Sequence, residues 1–297
     1  MQNTMKLAIV LMFGLVNAVA AQPADSEAEA LEIAAIEALM VAPQSKALPI
    51  VARVLAGDKS DDVKSRALFV LSQIDLPEAQ SILLDTARSG SPQLRLEAIR
   101  MIGISGDSEA LAKLGAIYAG GDRQTKERVL QAYLIAGDAN AVYELAVNAA
   151  TEDEFEIAVQ TLGAMGATDE LRALRGESGM SETLIRAYSI AGDYESLREM
   201  ALDDTDPRLQ VKAIQSLGVV GGDDNNEILL QIYRDSDTKH VRDAALHGMM
   251  ISGFDEGVAQ LFRESNDPVE KRQFLRMLVT MDSDAALGII DETLGDQ

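Results

Sequence analysis

The stretch Asp206–Tyr233, DPRLQVKAIQSLGVVGGDDNNEILLQIY, reads as a short loop, a helix, a glycine turn and a second helix. Weaker copies of it run through most of the 297 residues. Take the turn residue after the leading helix as a reference. The copies then fall at Ala42, Asp75, Gly106, Gly137, Gly166, Gly192, Gly221, Gly253 and Asp282, spaced 26 to 33 residues apart. A steady period near thirty is the signature of a solenoid, in which each helix pair covers its apolar side only against its neighbours. Glycine at most of the reference positions suits a left-handed helix end.

The helix signals recur at fixed distances from the reference. Fifteen residues earlier sit Ser60, Ser91, Asp122, Thr151, Glu177, Asp206, Thr238 and Asp267. All but Glu177 carry side chains that accept from the unpaired amides of a helix start. Pro92, Pro207 and Pro268 come next, at the first helical position, where proline forfeits no hydrogen bond. Eight before the reference stand Ala67, Ala98, Val129, Ala158, Leu184, Ala213, Ala245 and Phe274. Four before it stand Leu71, Ile102, Tyr133, Leu162, Tyr188, Leu217, Met249 and Leu278. The two sets are one turn apart on one apolar face. A second helix follows each turn, as in Ser108–Tyr118, Ala139–Ala149 and Glu195–Leu202. One repeat is irregular: Gly166 and Gly192 are only 26 residues apart, Thr168–Arg175 offers barely two turns, and the usual cap is displaced.

The run D/S-x-x-V-[RK]-x-x-A-x-x-x-L-G appears as SDDVKSRALFVL from Ser60, SPQLRLEAIRMIG from Ser91, DPRLQVKAIQSLG from Asp206 and TKHVRDAALHGM from Thr238. It resembles the HEAT-repeat family, in its shorter form related to phycobilin-lyase repeats. The stretches AYLIAGDANAVYELA and AYSIAGDYESLREMA also look somewhat like tetratricopeptide repeats, whose period of about 34 fits less well. The HEAT resemblance implies an all-α, right-handed α-solenoid of about eight to nine helix pairs, read here as one domain over residues 22–297. It also implies a concave face lined by the helices that begin at Asp61, Pro92, Arg123, Glu152, Pro207, Lys239 and Pro268. Such arrays mostly serve as interaction surfaces and occasionally act as lyases or hydrolases.

Residues 1–21 read as a signal peptide. Lys6 precedes the apolar run Leu7–Val16, and Ala18-Val19-Ala20 is a small-x-small cleavage site. The run is short for a bilayer span, which needs about 20 apolar residues, so no stable membrane insertion is expected. No cysteine occurs, which excludes disulfides, thiol catalysis, cysteine-based zinc sites and an acylated lipoprotein cysteine. Export without a lipid anchor points to the periplasm, with an extracellular location as the alternative. The chain carries 26 basic and 48 acidic residues, a net charge of −22. That charge opposes binding to nucleic acid or anionic lipid. Residues 22–30, QPADSEAEA, read as an acidic leader into a first helix over Ala28–Met40.

Motifs for chemistry are few. His240 and His247 are seven residues apart, without the i, i+4 spacing and adjacent acid of a helical zinc site. There is no G-x-S-x-G and no phosphate-binding G-x-x-x-x-G-K-[ST]. The loop acids at Asp203, Asp204 and Asp206, at Asp223 and Asp224, and at Asp235 and Asp237 lack the spacing of a calcium loop and read as helix caps. No catalytic residue, metal or cofactor is expected. Tyr118 and Tyr233 are equivalent to each other, as are Tyr133 and Tyr188, and all four read as core.

One row stands out for binding. Eleven residues before the reference lie Lys64, Arg95, Lys126, Arg242 and Lys271, five cations in an acidic chain. They read either as a basic stripe for a partner or as cations that pair with acids of neighbouring repeats. The expected function is an exported scaffold or adaptor without turnover, binding a protein or peptide along the concave face. The alternatives are a lyase or hydrolase of this build and a structural spacer.

Overall fold

The computed structural model describes residues 23–179 and 181–295. The signal-peptide reading of residues 1–21 lies outside them. Among the described residues every regular element is helical. They fall into two compact units that divide between Ser105 and Gly106.

The first unit holds α1 (Pro23–Ala38), a single 3-10 turn at Leu39–Val41, α2 (Gln44–Ala56), α3 (Asp61–Ser72), α4 (Pro77–Ser89) and α5 (Pro92–Ser105). Helix α3 packs on α1, α2 and α5, and α5 packs on α4. The acidic stretch 22–30, expected as a leader, is helical from Pro23. Its run of Ala and Glu explains this, since both are strong helix formers.

The second unit holds α6 (Ser108–Ala112), α7 (Leu114–Gly120), α8 (Arg123–Ala136), α9 (Ala139–Val147), α10 (Glu152–Met165), α11 (Thr168–Ser178) and α12 (Glu182–Ala191). It continues with α13 (Tyr194–Leu202), α14 (Pro207–Val220), α15 (Asp223–Asp235), α16 (Lys239–Ser252), α17 (Asp255–Glu264), α18 (Pro268–Thr280) and α19 (Asp284–Gly295). Helices α8, α10, α12, α14 and α16 lie side by side in that order. This is the helix-pair array expected of an α-solenoid.

The expected core rows are buried throughout. Each residue at eight and at four before the reference is at most 3% exposed. The glycine turns Gly106, Gly137, Gly166, Gly192, Gly221 and Gly253 all have positive φ; Gly137, Gly166, Gly192 and Gly253 are left-handed as read, whereas Gly221 departs from that conformation with ψ −162°. Asp282 also has a positive φ, at 55°, which a short polar side chain tolerates better than a branched one. Three Gly-Asp pairs do two jobs. The glycine ends one helix, and Asp107, Asp138 or Asp193 accepts from an amide three residues on to start the next.

Three local expectations are corrected. Ser108–Tyr118 is not one helix; it breaks at Lys113 into α6 and α7. Gly115 follows the break, weakening the helix there by about 1 kcal/mol against alanine. Thr238 makes no capping bond; its own N–H donates to Ser236 Oγ at 3.1 Å. In the short repeat, α11 has a full eleven residues and α12 only ten. Ser181, eleven before Gly192, takes over as the cap and accepts from Leu184 N at 3.2 Å. The repeat therefore loses one turn at the start of its second helix, and the buried rows keep their phase.

The tightest approach in the array is between α14 and α16, where Gly218 faces Gly248. A methyl group added at Gly218 would stand 2.5 Å from the Gly248 Cα. Gly218→Ala must push the helices apart, at about 1–3 kcal/mol for overpacking, against about 1 kcal/mol gained in helix propensity. A fall in melting temperature of about 2–6 °C is expected for a unit of this size. A rise on thermal denaturation would refute the contact.

Candidate partner-binding surface

The five cations of the sequence row lie half-buried at the edge of the core. Lys126 on α8 reaches Glu154 on α10 at 2.7 Å and stands 5.4 Å above the Tyr118 ring. Arg242 on α16 reaches Glu270 on α18 at 2.5 Å, the Tyr233 hydroxyl at 2.8 Å, and sits 4.5 Å above the Tyr233 ring. Lys271 lies 5.0 Å above the Phe262 ring. One rule unites the three: the cation covers an aromatic ring at the end of the preceding helix. For Lys126 and Arg242 it then holds an acid 28 residues on. The acids respond. Glu154 is held below the usual carboxylate range by Lys126 and by the Ala150 N–H. Glu270 is held below it by the Ser265 hydroxyl and, against the opposing effect of burial, by Arg242. Lys64 and Arg95 are in the first unit, where the ring positions are Ala56 and Ala87. The Arg95 Nε is buried without an acceptor.

The equivalent tyrosines are core residues, as expected. Tyr133 and Tyr188 donate to the carbonyls of Leu111 at 3.1 Å and Leu171 at 2.9 Å. Burial and the nearby Asp138 carboxylate push the Tyr133 hydroxyl up to about 12. A second buried network centres on Asp193. Arg172 grips it with Nε and a terminal nitrogen, both at 2.8 Å, and the Ser196 hydroxyl donates at 2.8 Å. Burial raises the Asp193 carboxyl, but the Arg172 and Ser196 bonds outweigh it and hold the group below its usual range.

Chemistry-bearing groups do not converge elsewhere among the described residues. No three His, Asp or Glu side chains gather as metal ligands. His240 and His247 are exposed on α16. A cleft of about 120 Å³ between α8 and α10 is lined by Tyr118, Lys126, Asp153 and Glu154, without an imidazole to serve as base. Of the loop acids, Asp206 caps α14, accepting from Arg208 N at 2.9 Å; Asp203 accepts from Thr205 N at 3.0 Å within the loop, and Asp223 and Asp224 lie in the first turn of α15, whose cap is Gly222. No described helix is long and apolar enough to cross a membrane.

On the helices expected to line the concave face, sequence reasoning missed one exposed row, which lies opposite the core rows. Two residues before the reference come Ile135, Ala164, Ile190, Val219 and Ile251, on the five neighbouring helices α8, α10, α12, α14 and α16. All five are exposed, and the four large ones are between 47% and 70% exposed. Helical geometry explains why. They stand half a turn from the residues four before the reference, which point into the core. One turn further back on the same face are Gln131, Gln160, Arg186, Gln215 and His247. The signal was available in the aligned repeats, as an apolar column at a helix position that the burial pattern leaves outside.

A HEAT-repeat family model matches residues 48–133 and 194–278, more than half of the chain. Similar solved structures include human deoxyhypusine hydroxylase in complex with glycerol, aligned over 93% of this chain and 93% of its own at 18% identity and a TM-score of 0.32. They also include the complex of CpcE and CpcF of phycocyanin lyase from Nostoc sp. PCC7120, aligned over 91% of this chain and 98% of its own at 17% identity and a TM-score of 0.33. No curated protein matches the sequence significantly. Both solved structures are enzymes by name, which overturns the expectation that this chain is not an enzyme. The repeat match and the helix-pair architecture together establish that this chain belongs to the HEAT-repeat family.

Proposed function

We propose that the protein is an exported HEAT-repeat platform that holds a segment of another protein against the exposed face of α8, α10, α12, α14 and α16. The observation that carries this reading is the row of Ile135, Ile190, Val219 and Ile251, exposed on neighbouring helices. Single exposed apolar residues are ordinary. A run of them across adjacent helices is a patch, and patches of that kind mark interaction sites. The signal-like residues 1–21 support the periplasm as the place of action, and the net charge of −22 disfavours nucleic acid as the partner.

Site-specific photocrosslinking in cells tests the face directly. A photoreactive residue replaces Gln215, exposed in the middle of the face, or Glu227, exposed on α15. A discrete adduct in the periplasmic fraction from position 215 and none from position 227 is the expected result. Adducts of equal yield from both positions, or none from 215, would overturn the reading.

A further inference from the structure

We infer that the protein forms a symmetric dimer, in which the end of the second unit made by α18 and α19 meets the same end of a second copy. The inference does not depend on the binding face proposed above.

That end is an open cross-section of the array. Five residues after the reference stand Leu111, Val142, Leu171, Leu197, Asn226 and Val258, all at most 8% exposed. Leu287 holds the same place on α19 and is 70% exposed. Three before the reference, Gly163 and Gly218 press against Ala187 and Gly248 of the following repeat. Val279 holds that place on α18 and is 55% exposed. A stack of repeats normally ends in a polar outer face, which this helix pair lacks.

The charges select the occupant. Ten before the reference, the preceding helices carry Glu127, Glu156, Glu182 and Asp243, with Val211 the exception. Glu156 and Glu182 hold Arg186 and Lys212 of the following repeat, both at 3.1 Å. The second helices do the reverse: Arg172, Arg175 and Arg198 reach Asp193, Glu199 and Asp224 of the following repeat. At the open end both signs are exchanged. Arg272 on α18 stands in the place of Glu156, and Asp291 on α19 in the place of Arg175, and both are exposed. Another repeat of the same kind would set like charge against like. The other charges divide the same way, with Lys271 and Arg276 on α18 and Asp284 and Glu292 on α19. The acids at the start of α18 are engaged, Asp267 by the Val269 N–H and Glu270 by Arg242 and Ser265.

A second copy of this end supplies the missing signs. A two-fold axis parallel to the helices sets α18 of each copy against α19 of the other and preserves height along the axis. Arg272 is ten residues before Asp282, and Asp291 is nine after it. At about 1.5 Å per residue they stand about 15 Å and about 14 Å from the turn. Each arginine therefore meets the aspartate of the other copy at one level, twice per dimer. Val279 and Leu287 meet nearer the turn. The other two-fold arrangement, α18 on α18, sets Arg272 against Arg272. Head-to-tail stacking onto α1 would leave an open-ended chain. It would also find Glu29, Glu32 and Glu37 of that helix already engaged by Ser60, Lys59 and Arg66.

Sedimentation velocity of the purified chain at about 5 and 100 µM tests the dimer. Salt of about 150 mM screens the repulsion between two copies beyond about 8 Å, while a close ion pair persists. A monomer–dimer equilibrium without larger species is expected. Arg272→Asp or Asp291→Arg alone should weaken the dimer about ten-fold or more, since each sets like charges together twice. Leu287→Gln should weaken it too, with the helical circular dichroism unchanged in all three. The double variant Arg272→Asp/Asp291→Arg should dimerise again. So should a one-to-one mixture of the two single charge variants, because each supplies the charge that the other lacks. Monomer at both concentrations, dimers indifferent to the single changes, or single variants that stay apart when mixed would overturn the inference. A ladder of ever larger species would overturn it as well, because the contact is then head to tail.

Discussion

Leu217→Asp should unfold most of the second unit, while Val219→Glu, two residues further along α14, should leave it folded. Leu217 is fully buried where α14 meets α13, α15 and α16, and Val219 is 70% exposed. Removing the leucine forfeits about 1.5–3 kcal/mol of apolar burial. The carboxylate adds a desolvation penalty of several kcal/mol more, or must bind a proton to avoid it. The total exceeds about 4 kcal/mol, the range in which single substitutions unfold domains. Because each repeat is stabilised by its neighbours, the loss spreads along the stack. Val219→Glu should change stability by less than about 0.5 kcal/mol, as exposed substitutions do. Far-ultraviolet circular dichroism on heating measures both. Equal melting of the two variants would mean that the helix phase is wrong, and with it the exposed face.

The second large effect is at the Arg172–Asp193 pair. Asp193 has a side chain only 2% exposed, while Arg172, which closes the site from outside, is 46% exposed. Arg172→Met leaves a buried carboxylate with the Ser196 hydroxyl and N–H as its remaining donors. Stranding the buried Asp193 charge should lower stability at neutral pH, by less than in a fully buried pair because Arg172 is exposed. The pH dependence carries the sign. In the wild type the folded Asp193 titrates below its unfolded value. Its contribution is therefore full above the unfolded value of about 3.9 and is lost as pH falls through the lower folded value. Without Arg172 only the Ser196 bonds oppose burial, so the folded value rises from its wild-type position. The stranded charge then weakens the variant above that value, and protonation relieves it in acid. The gap between variant and wild type should narrow from pH 7 to pH 3. The control is Arg172→Met made in an Asp193→Asn background, which has no charge to strand, so the effect of losing Arg172 should there be the same at both pH values. Denaturant titrations at the two pH values give the answer, and a gap that stays constant would show that the charge is not what matters.

Much of the fold is legible in the sequence because its determinants are local. A cap such as Asp122 bonds an amide three residues away, and a turn such as Gly137 needs only its own φ. The period of the repeat fixes which residues return to one side of each helix. That is why Leu71 and Leu217 are both buried although 146 positions separate them in the chain. Even the short repeat keeps the rule, since losing one turn of α12 moves the cap to Ser181 and leaves Leu184 and Tyr188 in place.

The candidate surface was less legible. Lys126 and Arg242 are recognisable as a row, but their charge is engaged by Glu154 and Glu270, which only the stacking of successive repeats brings within reach. The exposed row of Ile135, Ile190, Val219 and Ile251 has the composition of a core row. Periodicity tells which residues share a side of a helix; it does not tell which sides a neighbour will cover. The sequence by itself therefore determined the repeat, the caps, the turns and the buried rows, all set by interactions within one or two helical turns. The tertiary structure decided which cations are spent within the array and which apolar face is left to water, because both depend on how separate helices pack.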